Sequence, residues 1–484
     1  MQHFGFQRCC ALLAICACLA TTAFGQTKRN VLLLVSDNQS WPDCGCYGNS
    51  DVRTPGIDRL ASDGVKFNYG FATTASCGPS RAVLYTGLLT PANGQYGHGH
   101  GVHTFVLNPK TETIFTRLRK KGYHTALLGK QHTVPKEQYP FTYNPKLNSR
   151  DVMRMAEAGK QFIQQAKAAE KPFFLTMGYS DPHPTSRNAP GWGIRKDFAG
   201  ITPEEYDSRK IGVPSYLPDK PWVREGLAGY YQLISRMDAG VNRMLDVLEE
   251  TGTASETLVI FTSDHGSSEP GAMANHYEPG VRVPFIVRNP RKKNRGTECN
   301  AMVTLADIVP TIVDWTNTAR DTDHYDGRSF LSAMNQEYPA GWDEVFLSHV
   351  CHEVTMYYPM RTLRTRRYKL IWNIAWRLEF PNPIDTLSRQ TWIRTIDDGE
   401  KTIGPRTVKQ FLFRDELELY NLQNDPDEIH NLAAMPEHAA VRDKLLARLK
   451  QRCHATPDPW LDRHQLPSGD SFGRHATIAR KDSK

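Results

Sequence analysis

From residue 29 onward the chain alternates between short unbroken apolar runs and longer stretches whose apolar side chains recur every three or four positions. Arg29 to Asp37 (Arg-Asn-Val-Leu-Leu-Leu-Val-Ser-Asp) is apolar through its middle and ends on a carboxylate. A run apolar on both faces predicts a buried, parallel-type strand with a functional tip. Thr54-Pro55 opens a helix through Leu60 and Ala61 that stops near Gly64, because the fixed φ of proline suits a first helical turn. The same reading gives a helix over 113–120 ended by Gly122, and a strand from Tyr123 to Leu128 running into Gly129-Lys130-Gln131-His132. A helix follows over 151–169, then a strand from Pro172 to Tyr179 running into Ser180-Asp181-Pro182-His183. Residues 225–250 read as a long helix ended by Gly252, and Thr257 to Thr262 as a strand running into Ser263-Asp264-His265-Gly266. Val283 to Val287 adds a strand and Ala306 to Thr316 a helix.

Strands alternating with helices predict an α/β domain with a mostly parallel sheet flanked by helices. Strand after strand ends in polar or ionisable residues. Ligands of open α/β sheets sit beyond the carboxyl ends of the strands, so these tips are expected to converge on one site. Past about residue 340 the texture changes. Tyr358 to Asn373 reads as a hairpin, Leu417 to Tyr420 as a strand, Asn424-Asp425-Pro426 as a break, and 437–451 as a helix. That is a smaller α+β domain with antiparallel strands. The expected division is a leader over 1–25, a large domain over 26–340 and a smaller one over 341–484, with a polar tail after Trp460.

The leader changes the compartment. Arg8 precedes an apolar stretch over 9–20, and Ala23-Phe24-Gly25 supplies small residues for cleavage before Gln26. The protein is therefore expected to be exported to a periplasmic, secreted or lysosome-like space. A lipid anchor at Cys16 or Cys18 fits the preceding residues poorly. No later segment has the length and apolarity of a membrane span. Of the ten cysteines, four leave with the leader. Setting Cys77 aside, Cys44, Cys46, Cys299, Cys351 and Cys453 are odd in number, so at least one thiol stays free or pairs between chains. A formal charge of +7 suits an anionic substrate without demanding one. No zinc-finger spacing, RNA-binding signature or long basic block points to nucleic acid.

The densest chemistry is Cys77-Gly78-Pro79-Ser80-Arg81-Ala82-Val83-Leu84-Tyr85-Thr86-Gly87. Pro79 suits the first turn of a helix begun by Ser80 and Arg81, which leaves Cys77 just before an N-terminus whose dipole favours negative charge. Arg81, one turn on, can aim its cation back at the same point. The run resembles the type I sulfatase signature, Cys-x-Pro-Ser-Arg-x-x-x-x-Thr-Gly, at every fixed position. The resemblance implies an alkaline phosphatase-like fold. It also implies a maturation enzyme that oxidises Cys77 to formylglycine, whose hydrate supplies the nucleophile. In that family strand-end residues matching Asp37, Asn38, Asp264 and His265 hold a divalent ion. That ion is expected to be calcium, with magnesium as the alternative, since hard cations want oxygen donors. Asn38 replaces a carboxylate of many relatives, and His265 an asparagine of some. Lys130 and His132 match the sulfate-binding and elimination residues, and His183 the histidine that contacts the sulfate or leaving group, where an imidazolium at mildly acidic pH could donate a proton.

One expected cation is missing. The Lys or Arg four residues before a Tyr is Met273 here, ahead of Tyr277, with Asn275 and His276 the nearest polar substitutes. Within the family the chain is similar to the sulfamidases, which remove N-linked sulfate from heparan chain ends. The similarity is carried by Tyr96-Gly97, Val102-His103, Arg236-Met237-Asp238-x-Gly240-Val241 and the segment His352-Glu353-Val354-Thr355-Met356-x-Tyr358-Pro359-Met360-Arg361. It implies that His352, Glu353 and Arg361 grip a sugar. The leading expectation is thus a sulfatase acting on N-sulfoglucosamine of a sulfated saccharide. The alternatives are an O-sulfatase on another polysaccharide, a silent sulfoglycan-binding protein if Cys77 stays a thiol, and a phosphatase or phosphonate hydrolase on the same fold. Oligomeric state is left open, with a homodimer as one option.

Overall fold

A computed structural model describes residues 29–185, 192, 198–292, 295–456 and 458–461; the expected leader and most of the polar tail lie outside them. Its centre is β1 (Asn30–Ser36), buried along its whole length. Parallel strands flank it: β4 (Phe173–Gly178) on one side and β5 (Thr257–Ser263) on the other, with β3 (His124–Gly129) beyond β4. Beyond β5 the sheet turns antiparallel through β7 (Phe285–Arg288) to β2 (Val65–Phe71), which pairs with β6 (Arg282–Val283) and, in parallel, with β8 (Thr297–Thr304). The fold is mixed α/β with a large, mostly parallel sheet, as the alternation predicted.

Side-chain alternation along β1 builds two cores. Val31, Leu33 and Val35 pack with the helices Ile114–Lys120 and Ile308–Thr316 and with α2 (Cys77–Thr86). Leu32 and Leu34 face α1 (Pro55–Asp63) and the helices Val152–Ala168 and Pro221–Glu250. Helices on both faces keep the all-apolar strands dry, which is why such runs carry no polar alternation.

Three differences from the sequence reading have physical causes. The run 283–287 is two strands, because Pro284 cannot donate to a ladder. The helix of the signature motif begins at Cys77 itself, with Ser76 extended before it, so Cys77 is in the first turn rather than ahead of it. The strands β2, β8 and β9 (Glu344–Cys351) went unread: β2 interleaves lysine, asparagine and tyrosine with its apolar residues.

The smaller sheet is antiparallel. The strand Leu417–Asn421 pairs with β11 (Tyr368–Asn373), β11 with β10 (Tyr357–Thr365), and β10 with β9. The helix Ala439–Ala455 packs its Leu445 and Leu449 on Leu370, Trp372 and Leu419. Among the described residues no disulfide forms; Cys44, Cys46, Cys77, Cys299, Cys351 and Cys453 are all free thiols. No helix among them is long and apolar enough to cross a membrane.

Candidate active site

The tips of β1, β3, β4 and β5 meet the N-terminus of α2. Asp37 and Asn38 follow β1, and Asp264 and His265 follow β5. Parallel pairing of Ser36 with Ser263 puts the two strand ends level, so residues far apart in sequence arrive side by side. Asn38 takes a left-handed backbone (φ 67°), a conformation that asparagine tolerates better than most residues. Lys130 and His132 leave β3 through Gly129, whose φ is 91° and where a Cβ would stand 2.3 Å from the carbonyl oxygen of Gly178. Only glycine lets β3 and β4 end this close together.

Cys77 Sγ faces His265 Nε2 at 3.1 Å and the Oδ1 atoms of Asp37 and Asn38 at 3.9 Å each. Arg81, wholly buried, divides its guanidinium between two carboxylates: Nε donates to Asp264 Oδ2 (2.9 Å) and Nη2 to Asp37 Oδ2 (3.0 Å). Lys130 Nζ also pairs with Asp37 Oδ2. Asp264 Oδ1 accepts from the backbone N–H groups of Asn38 (3.2 Å) and His265 (3.0 Å). The cations thus take the outer oxygens, and Asp37 Oδ1 is left facing Cys77. The two carboxylates are already balanced by two cations before any ion arrives.

Burial alone would raise the Asp37 carboxyl, but Lys130, His183, Arg81 and His265 outweigh it and hold the group well below the usual carboxylate range. Burial pushes the Cys77 thiol well above its ordinary value, Asp37 and Asp264 adding to the effect and Lys130 and Arg81 opposing it. As a cysteine the side chain is a neutral thiol, the form that is a poor nucleophile.

The donors fit a divalent ion. His265 Nδ1 pairs with the carbonyl of Gly266 (2.9 Å), which leaves its Nε2 lone pair for the pocket. Asn38 Nδ2 is buried without a partner while its Oδ1 faces Cys77, so the amide spends its acceptor on the pocket. Cys77, Asp264 and His265 form a group whose ligand atoms lie within 4.8 Å of one another.

His183 follows β4, with Nδ1 against the carbonyl of Pro184 (2.9 Å) and Nε2 3.7 Å from Asp385 Oδ1. Burial and Lys130 lower its pKa, and Asp385 and Asp37 pull it back. A resting imidazolium, the state expected at mildly acidic pH, is therefore disfavoured. Nε2 is the atom free to exchange a proton. Asp385 escaped the sequence reading because it lies in a short helix, Ile384–Leu387, of the smaller domain, with no spacing to link it to His183.

The smaller-domain residues divide. His352 is buried behind Cys77, its Nδ1 on Ser76 Oγ (3.0 Å) and its Nε2 on His98 Nε2 (3.1 Å). Glu353 is half-buried in the turn that follows, its carbonyl accepting from Met356 N (2.9 Å). Arg361 does not fit a sugar-gripping role. It has no exposed surface, both oxygens of Asp458 pair with it, and Nη1 donates to the carbonyls of His349 (2.9 Å) and Met360 (2.8 Å). The substitutes for the missing cation are also engaged elsewhere. Arg414 donates to Asn275 Oδ1, His276 Nδ1 pairs with Thr362 Oγ1 (2.7 Å), and Met273 is packed with Tyr358, Met360 and Phe380.

Two family models match overlapping parts of the chain. The family model described as Sulfatase matches residues 29–318, and that described as N-sulphoglucosamine sulphohydrolase, C-terminal, matches 273–379. The chain is 34% identical over 483 residues to human N-sulphoglucosamine sulphohydrolase, covering 93% of this chain and 95% of that protein. An ulvan-active sulfatase of Formosa agariphila is 28% identical over 430 residues, covering 87% of this chain and 78% of the relative. Among solved structures, a protein bound to its substrate D-glucosamine-2-N,6-O-disulfate superposes with TM-score 0.65 at 19% identity, covering 89% of this chain and 98% of that one. The phosphonate monoester hydrolase of Agrobacterium radiobacter superposes with TM-score 0.62 at 20% identity, covering 89% and 96%. At such identities these two structures speak to the fold alone.

Proposed function

The chain belongs to the sulfatase family and is a sulfate hydrolase; from that premise we propose that it is an exported enzyme removing N-linked sulfate from glucosamine of a heparan-type saccharide. The observation that carries the substrate is the 34% identity to human N-sulphoglucosamine sulphohydrolase over 93% of the chain, which takes in the smaller domain.

Cys77 oxidised to formylglycine by a maturation enzyme supplies, as its hydrate, a diol able to attack sulfur and later release sulfate. The neutral thiol of unmodified Cys77 supports that reading, because this pocket suppresses the thiolate a cysteine nucleophile needs. Asp37, Asn38, Asp264 and His265 would hold a calcium ion that supplies positive charge to sulfate. Because the donor set is already neutralised by Arg81 and Lys130, a bound ion and the anionic substrate would assist each other's binding. Arg81 fixes both carboxylates. Lys130, buried yet held protonated by Asp37, presents a point charge to a sulfate oxygen. His132 handles the diol proton. His183 delivers a proton from Nε2 to the departing nitrogen, and Asp385 favours the imidazolium that must form for that step. His352, whose Nδ1 meets Ser76 Oγ, and its neighbour Glu353 are candidates for shaping the saccharide side.

The test is sulfate release by the matured protein from N-sulfated, 6-O-sulfated and 2-O-sulfated glucosamine-containing saccharides. N-sulfate should be turned over fastest. Turnover confined to O-sulfates would favour the second reading, an O-sulfatase for another polysaccharide, which the 28% identity to an ulvan-active sulfatase supports.

A further inference from the structure

Beside the proposed active site runs His98-Gly99-His100-Gly101-Val102-His103, a segment that the sulfate chemistry does not use. It is a loop between the single helical turn Thr90–Asn93 and the helix Ile114–Lys120, and it brings its imidazoles against those of His132 and His352. The rings of His98 and His132 lie 5.0 Å apart, His100 and His132 4.8 Å, and His98 and His100 4.9 Å. His103 lies 5.7 Å from His100. One ring nitrogen from each of His98, His100 and His132 falls within 4.8 Å of the other two.

Packing leaves two nitrogens of these rings unpartnered. His98 is only 4% exposed, and its Nδ1 has no hydrogen-bond partner. The Nδ1 of His132 is likewise buried without one. A buried ring nitrogen left unpaired carries an uncompensated desolvation cost unless something binds it. From this geometry we propose that His98, His100 and His132 form a second metal site, selective for a borderline transition ion of the zinc class, and that loading it inhibits the enzyme by withdrawing His132 from the pocket.

The chemistry selects the ion. Imidazole nitrogens suit zinc, copper or nickel, whereas calcium and magnesium require oxygens, which are found instead at Asp37, Asn38 and Asp264. Burial, with neighbouring imidazoles and Lys130 acting in the same direction, holds His98 and His132 well below the usual histidine range, so both are neutral, the form that ligates. A tetrahedral zinc ion needs its nitrogens roughly 3.4 Å apart, given Zn–N bonds of about 2.0–2.1 Å, so the cluster must close. His100 and His132 are stacked at 12°, and it is His100 that must turn. It is exposed and flanked by Gly99 and Gly101, the latter at φ 62°. The fourth position goes to water or to His103. The inhibitory half of the proposal rests on the sulfatase reading of His132; the binding half does not.

The experiment titrates zinc into the full-length protein at saturating calcium, against a chromophoric chelator, with His100→Ala in parallel and circular dichroism as the control for folding. Parent protein should bind one ion in the micromolar range or tighter, and His100→Ala should bind at least tenfold more weakly. Equal affinity in the two proteins, or no binding by the parent, overturns the site. In sulfate-release assays the zinc concentration for half-inhibition should rise at least tenfold in His100→Ala, measured against that variant's own zinc-free rate. Zinc binding without inhibition overturns the regulatory half. If no sulfatase activity is found on any substrate, the chelator titration still decides the site.

Discussion

Arg81 and Arg361 are both wholly buried and both hold carboxylates through two nitrogens, yet they do opposite things. Arg361 takes both oxygens of one partner, Asp458, and spends Nη1 on backbone carbonyls. The pair is closed, and Asp458 Oδ1 is further occupied by Trp460 N at 3.1 Å. Arg81 takes one oxygen from each of two carboxylates, Asp37 and Asp264; Asp264 Oδ1 goes to backbone N–H groups, but Asp37 Oδ1 is left facing Cys77. A buried ion pair that uses every oxygen is scaffold. One that is shared between partners leaves ligand atoms pointed at a pocket. A fourth buried carboxylate, Asp43, has no cation partner among the described residues and accepts from the Tyr230 hydroxyl at 2.9 Å.

The largest effect should come at the pocket that Arg81 frames. Cys77→Ala is expected to lower turnover at least about 10⁴-fold with folding intact. Mass spectrometry of the active parent should show the Cys77 peptide converted from thiol to aldehyde. Activity in material that is wholly thiol would remove the pocket from the comparison.

Next, His183→Ala should cost about 10²–10⁴ in kcat on an N-sulfated saccharide and far less on an aryl sulfate whose phenolate leaves unaided. Equal losses would mean that His183 binds sulfate rather than delivering a proton.

The two arginines can be compared directly. Arg81→Met and Arg361→Met each leave buried carboxylate behind and should each destabilise the fold by about 3–5 kcal/mol in urea titrations. Only Arg81→Met should also lower kcat of the protein that remains folded. A matching kcat loss in Arg361→Met would erase the distinction between closed and shared pairs.

The last effect concerns Asp43, whose carboxyl burial pushes up to about 7 against the donation from Tyr230. A folded pKa raised above the unfolded value of about 3.9 gives stability that is complete below that value and lost as pH rises through the folded one. Asp43→Asn keeps an acceptor for Tyr230 and cannot ionise. It should stabilise the protein by about 4 kcal/mol at pH 8, by roughly a third of that at pH 5, and by nothing measurable near pH 3. A pH-independent change would show that Asp43 is ionised in the fold and behaves like its cation-paired counterparts.

Much of this was legible in the chain. The all-apolar run before Asp37 required a strand covered on both faces, and strands covered that way are built by helical crossovers; hence the parallel centre of the sheet and the polar tips gathered at one edge. The signature around Cys77 required its helix. Local sequence determines such features because they depend on periodicity and on a few residues with special backbone or chemistry.

What the sequence left open was decided by contacts between distant segments. Arg361, singled out by its motif as a sugar ligand, is paired with Asp458, 97 positions away. Asp385 meets His183 only because the smaller domain folds back over the larger. Met273 packs into an apolar cluster, and Asn275 and His276 pair with Arg414 and Thr362 rather than replacing the missing cation. His132, chosen for the diol, also stands among the imidazoles of a loop some thirty residues earlier. A side chain's chemistry is written in the sequence; the partner that uses up or frees its polar atoms is set by packing in three dimensions.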